Sequence, residues 1–173
     1  MYMLKARRTP TTAHLQGIPP GPAGIRITLR KMAELTRQAR VDMQIRELAV
    51  ELVGWIPPKH WRSEIEALFN FVRNKVRYTR DVHRVETLQT PAKTLEYRAG
   101  DCDDMVTLLA ALLESIGFET RFVAMGMRPG YFQHVFLEAQ LPSGEWMSLD
   151  PTEPVAAGWR PPVIESCMIQ EVA

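Results

Sequence analysis

Apolar residues recur at helical spacing through most of the first two thirds of the chain and at alternate positions after it. Leu29, Met32, Ala33, Leu35 and Ala39 mark a helical stripe from Thr28, and Ile45, Leu48, Ala49, Leu52 and Val53 follow at i, i+3, i+4, i+7 and i+8. This spacing predicts two helices, or one broken near Val41, ending at Gly54. Pro57 and Pro58 separate that unit from a third helix over about 60–76, whose face is Ile65, Leu68, Phe69 and Val72. The strongest period is Met105, Leu108, Leu109, Leu112, Leu113 and Ile116, with Gly117 as its stop. Three strand-like runs follow, at about 120–125, 132–140 and 145–150. Pro129-Gly130 and Pro142-Ser143-Gly144 lie between them, which predicts an antiparallel meander.

Elsewhere the period fails. Residues 1–24 hold four prolines and three glycines and read as a flexible Pro/Gly-rich arm. Val76–Thr79 looks extended, and 81–100 reads as a long loop of a length that usually serves a function. The tail 154–173, with Pro154, Pro161 and Pro162, reads as irregular chain wrapped on the domain. The expected organisation is therefore the arm 1–24, a domain over 25–153 whose helical part is 25–76, and the tail.

The 173 residues, 46% of them hydrophobic, suffice for one core, and no apolar run approaches the roughly 18–20 residues of a membrane span. The start has basic residues but no apolar stretch of the kind found in a secretory signal, so a cytoplasmic location without membrane association is expected. Two cysteines, Cys102 and Cys167, with no Cys-x-x-Cys pair, indicate neither a disulfide framework nor a cysteine-rich zinc site. Net charge is +1, yet residues 1–50 carry nine Lys/Arg against three acids, leaving the remainder at −5. A solvated basic helical face is the plain reading of this asymmetry; an acidic partner, nucleic acid least of all, is the other.

Cys102 lies three residues before Met105 and so shares the buried face at a helix N-terminus. The helix dipole and free N–H groups there lower a thiol pKa, and Asp101, Asp103 and Asp104 oppose them. Those acids read as first-turn caps, with a metal site made from them and His134 as a lesser alternative. His134, Phe136 and Glu138 share one strand face, as do Trp146, Ser148 and Asp150 on the next strand. A turn centred at Pro142-Ser143 brings His134 and Asp150 within about one residue of opposite, and an odd-length loop or a bulge keeps them on one face. Singly, each has a plainer reading: a small buried hydrophobe, a strand histidine and an Asp-Pro turn. Together they match the needs of acyl transfer, namely a nucleophile, a base and a group that orients the base.

Several stretches resemble the transglutaminase-like superfamily, which has a papain-like core. They are Ala99-Gly100-Asp101-Cys102 opening an apolar helix, Leu112–Phe118 followed by Arg121-Phe122-Val123, His134 in a strand, Trp146–Thr152, and upstream Phe71–Tyr78. The resemblance covers roughly 65–153. It implies an α+β fold with the nucleophile at the start of a buried helix packed on an antiparallel sheet. It further implies Cys102 as nucleophile, His134 as general base and acid, Asp150 as the group fixing its tautomer, and the Cys102 backbone N–H as an oxyanion donor. Gln89 and Tyr97, which precede the nucleophile and carry side-chain donors, are candidates for the second donor. No cofactor or metal is implied. The expected function is a cysteine protease, amidase or acyltransferase of bacterial or phage type, acting on a protein or peptide through a thioester. A catalytically silent scaffold that binds a protein or assembly partner is the alternative.

Overall fold

The computed structural model describes residues 18–79, 87–162 and 164–173, together with the backbone of 12–14. In chain order the elements are β1 (Thr12–His14), α1 (Pro22–Ala39), α2 (Met43–Val53), α3 (Trp61–Lys75), β2 (Arg77–Tyr78), β3 (Thr87–Gln89), α4 (Pro91–Tyr97), β4 (Ala99–Gly100), α5 (Cys102–Ser115), β5 (Thr120–Gly126), β6 (His134–Gln140), β7 (Trp146–Leu149) and β8 (Ser166–Glu171). The fold is α+β, as expected.

Helix α5 is the axis of the domain. Every residue from Asp104 to Leu113 is buried, so the helix is enclosed on all sides rather than along the single face its period suggests. Helices α1 to α4 pack around it on one side and β6 and β5 close the other. Ala110 and Ala111 are fully buried and small enough to let neighbouring elements approach the axis. The break near Val41 is real: α1 ends at Ala39, and Asp42 caps α2 by accepting a hydrogen bond from the Gln44 N–H at 2.8 Å.

The main sheet has the order β7-β6-β5-β8, all antiparallel. The three expected strands form its meander, and β8 adds a fourth beside β5. The tail reading is corrected there: Ser166–Glu171 pairs along Arg121–Gly126. The long-loop reading is also corrected, since 87–100 holds β3, α4 and β4; the rest of that reading, at 81–86, lies outside the described residues. Pro91 sits in the first turn of α4 behind the Thr90 cap, a position where its missing N–H costs nothing. Most of the arm lies outside the described residues as well. Within it, Thr12–His14 pairs with Thr87–Gln89, and α1 already begins at Pro22.

Gly100 has a specific packing role. A Cβ there would lie 2.6 Å from the Cβ of Asp104, so only glycine lets β4 run this close to the first turn of α5. That close approach fixes the backbone entering Cys102.

Candidate active site

Cys102 is the first residue of α5, placed by a reciprocal cap. The Asp101 carboxylate accepts from the Asp104 N–H at 3.1 Å, and the Asp104 carboxylate accepts from the Asp101 N–H at 3.4 Å. Asp104 is buried and also accepts from the Gln89 N–H and from Gln89 Nε2, each at 2.8 Å. The capping role expected of these acids is therefore visible for Asp101 and Asp104. Among the described residues, no group of three His, Cys, Asp or Glu side chains is arranged to hold a metal ion.

His134 opens β6, and its Nε2 lies 2.6 Å from Asp150 Oδ2. The sheet register explains how they meet. Leu137 faces Leu149 and Glu138 faces Ser148, with a five-residue connection from Leu141 to Glu145. That odd-length loop keeps even-numbered residues of both strands on one face, and His134 reaches Asp150 diagonally rather than straight across. Asp150 is buried, and its other oxygen, Oδ1, accepts from Thr152 Oγ1 at 2.7 Å and from the N–H groups of Thr152 (3.1 Å) and Glu153 (3.3 Å). With one oxygen saturated by the Asp-Pro turn, the other is left to the imidazole. A hydrogen on Nε2 donated to Asp150 leaves Nδ1 as the basic nitrogen.

Cys102 and His134 line one cavity of about 210 Å³. Asp103 and Gln133 share it, and Val135 and Ala124 close its sheet side. The opposite wall is α1, through Ile25, Thr28, Leu29 and Met32. That α1 reaches this site is not legible in its sequence, because its stripe reads equally well as plain core.

Burial pushes the Cys102 thiol far above its ordinary pKa, and the charges of Asp103 and Asp101 push it further; the Val135 backbone N–H opposes them. The thiol donates to Asp103 Oδ1 at 3.4 Å. The expected lowering by the helix N-terminus is thus outweighed, and the resting group is a thiol. Burial pulls the His134 pKa down, but the hydrogen bond and charge of Asp150, with Glu153 and Asp103 behind, leave it above its usual value. Burial raises Asp150, yet His134 and Thr152 together hold it below the usual carboxylate range.

The two proposed oxyanion donors lie elsewhere. Gln89 Nε2 spends its two hydrogens on Asp104 Oδ2 and on the Ala99 carbonyl at 3.2 Å, so none remains for a substrate. Tyr97 is exposed and sits under the Lys93 ammonium, 3.7 Å from its ring centre. Neither lines the cavity. Cys167 is exposed on the edge strand β8, where it pairs with Met125, itself the cross-strand partner of His134, and it does not line the cavity.

The transglutaminase-like superfamily model matches residues 46–151, and the chain belongs to that superfamily. A candidate cysteine protease from Cytophaga hutchinsonii is similar in structure, with a TM-score of 0.53 and 22% identity over 72% of this chain and 42% of that one. A candidate protease from Parabacteroides distasonis gives 0.56 and 12% identity over 84% of this chain and 29% of that one. At these identities the likeness is one of fold. Dynein regulatory complex subunit 7 of Chlamydomonas reinhardtii is 45% identical over 49 residues, 28% of this chain and 4% of that protein. The chain spans less than half the length of each of these relatives. Among the described residues no helix is long and apolar enough to cross a membrane.

Proposed function

We propose that the chain is a cysteine-nucleophile amide hydrolase or acyltransferase, with Cys102, His134 and Asp150 as its triad and a protein or peptide as its substrate. The observation that carries this reading is the 2.6 Å contact between His134 Nε2 and Asp150 Oδ2, on a histidine that shares a cavity with a half-buried cysteine at a helix start. Because the resting thiol is protonated, attack requires His134 Nδ1 to take the Cys102 proton as Sγ adds to the substrate carbonyl. The carbonyl electron pair moves to oxygen, and the Cys102 backbone N–H at the α5 N-terminus donates to it. Collapse re-forms the carbonyl and expels the amine, which leaves with the proton from imidazolium. The resulting thioester is attacked by water or another amine, whose proton passes to His134 and then to the departing thiolate. Asp150 stabilises the imidazolium and fixes its tautomer.

A p-nitrophenyl ester tests this without knowledge of the natural substrate. One equivalent of p-nitrophenol should be released in a burst by the native chain and by Cys167→Ser, and none by Cys102→Ala. Absence of a burst from the native chain would remove the reading.

One observation favours the second reading, a silent scaffold. The 45% identity over 49 residues is to a protein named as a subunit of a regulatory complex. A scaffold would show no burst.

A further inference from the structure

We infer that the cavity beside Cys102 is a pocket for one apolar side chain, borne by the residue whose carbonyl is attacked, and that α1 sets this preference. The inference rests on the proposed thiol-nucleophile reading and adds a substrate class to it.

Chemistry of the walls comes first. Apart from the reacting groups, the surface is mainly Ile25, Leu29, Met32, Ala124, Phe132 and Val135. Among the described lining residues there is no Lys or Arg to receive a carboxylate, and Asp103 is present to repel one. An apolar side chain entering such walls is removed from water at about 25 cal/mol per Å², whereas an anionic one must be desolvated with no cation to compensate it.

Size is the second observation. About 210 Å³ lies below the roughly 300–1,000 Å³ of sites that enclose a whole small molecule, so the cavity suits a single side chain. Cys102 is itself part of the wall, which ties the occupant to the residue under attack.

Position in the chain is the third. Helix α1, at Pro22–Ala39, lies outside residues 46–151, the part matched by the superfamily model. Selectivity set by α1 is thus a property of this chain rather than of the shared core. Leu29 and Met32 are fixed in the hydrophobic core at 2% and 0% exposure, and Ile25 is only half-buried. Ile25 is therefore the wall residue that can be changed with least damage to the fold.

The test is a series of N-acetyl amino acid p-nitrophenyl esters of Gly, Leu, Met, Phe, Asp and Lys. Each burst rate is divided by the rate of the same ester with free N-acetylcysteine. Normalised rates for Leu and Met should exceed those for Gly and Asp by on the order of tenfold or more, the discrimination an apolar pocket gives for added methylenes. In Ile25→Asp the Leu rate should fall several-fold and the Lys rate should rise. An acid suits that position, because the first turn of α1 carries none and the helix dipole favours one there. Should Ile25→Asp melt early, Ile25→Ala replaces it, and the preference should shift toward the Phe ester. Equal normalised rates across the series, or a Leu preference unchanged by both variants, would overturn the pocket while leaving Cys102 as the nucleophile. No burst with any ester would overturn both.

Discussion

His134 and Asp150 touch without being cross-strand partners. The register that sets Leu137 against Leu149 and Glu138 against Ser148, continued by one residue, puts Asp150 opposite Phe136, so the imidazole reaches its carboxylate along the diagonal at 2.6 Å. The aspartate is turned to meet it by the Thr152 and Glu153 bonds to its other oxygen. Orientation of the base therefore depends on the Asp-Pro turn as much as on the sheet.

Asp150→Asn should keep the fold and lower kcat. The amide oxygen can still accept from Thr152, but the amide nitrogen then faces His134 and favours the wrong tautomer. A loss of about 10²–10⁴-fold is expected, the upper end being the cost of the same change in the chymotrypsin-like triad. The loss should stay smaller than that of Cys102→Ala. Unchanged kcat with an unchanged Tm would reduce Asp150 to a turn former.

The acylation rate should rise with pH along a limb whose midpoint lies above 6.5, because His134 must be neutral to act as base and its pKa is raised in the fold. In Asp150→Asn, which loses the carboxylate charge, that midpoint should move down. A native midpoint below 6.5 would contradict the assigned pairing. Stability carries a matching signature. A raised histidine pKa stabilises the fold below 6.5 and fades as pH climbs through the raised value; a lowered aspartate pKa stabilises it above 3.8 and fades as pH falls through the lowered value. The Tm difference between native chain and Asp150→Asn should therefore be widest between about pH 4 and 6.5.

How much of this was legible varied by element. Helix α5 and strands β5 to β7 stood out because their apolar residues recur with one clear period, and Cys102, His134 and Asp150 fell at ends of those elements. The odd-length loop needed to put His134 and Asp150 on one face is the five-residue connection observed. Strand β8 escaped because Ser166–Glu171 is an edge strand with Cys167, Ile169 and Glu171 exposed, and prolines precede it. Helix α4 escaped because Pro91 reads as a breaker until Thr90 is seen to cap it. The α1 wall of the cavity is a tertiary contact between segments seventy or more residues apart, which periodicity within one helix cannot express. The net direction of the thiol pKa is not legible in the sequence for a similar reason: helix position and neighbouring acids are local, but burial depends on the whole fold.

Glu138 should be a stability hot spot outside the site. Fully buried on β6, it is held by Arg121 at 2.6 Å, by Arg160 from the tail and by Ser148 Oγ at 3.3 Å, while Arg121 stacks on Trp146 at 4.0 Å. Glu138→Ala leaves Arg121 without its counter-ion and should cost about 3 kcal/mol. Arg160→Ala should cost well under half of that, since its side chain is 59% exposed. Urea melts of the two variants compare the costs, and equal losses would mean that the tail arginine holds the cluster.

The two cysteines should separate cleanly in function. Cys167→Ser should leave the p-nitrophenol burst and Tm nearly unchanged, since that thiol is exposed on an edge strand and does not line the cavity. A burst lost in Cys167→Ser and kept in Cys102→Ala would reverse the assignment.

The most direct measurement is the mass of the chain quenched in acid during the burst, followed by peptide mapping. One added acyl group should be found on the peptide that contains Cys102, and it should disappear when hydroxylamine cleaves the thioester. An acyl group on any other residue, or an unmodified chain after a full equivalent of p-nitrophenol has been released, would contradict a thioester at Cys102.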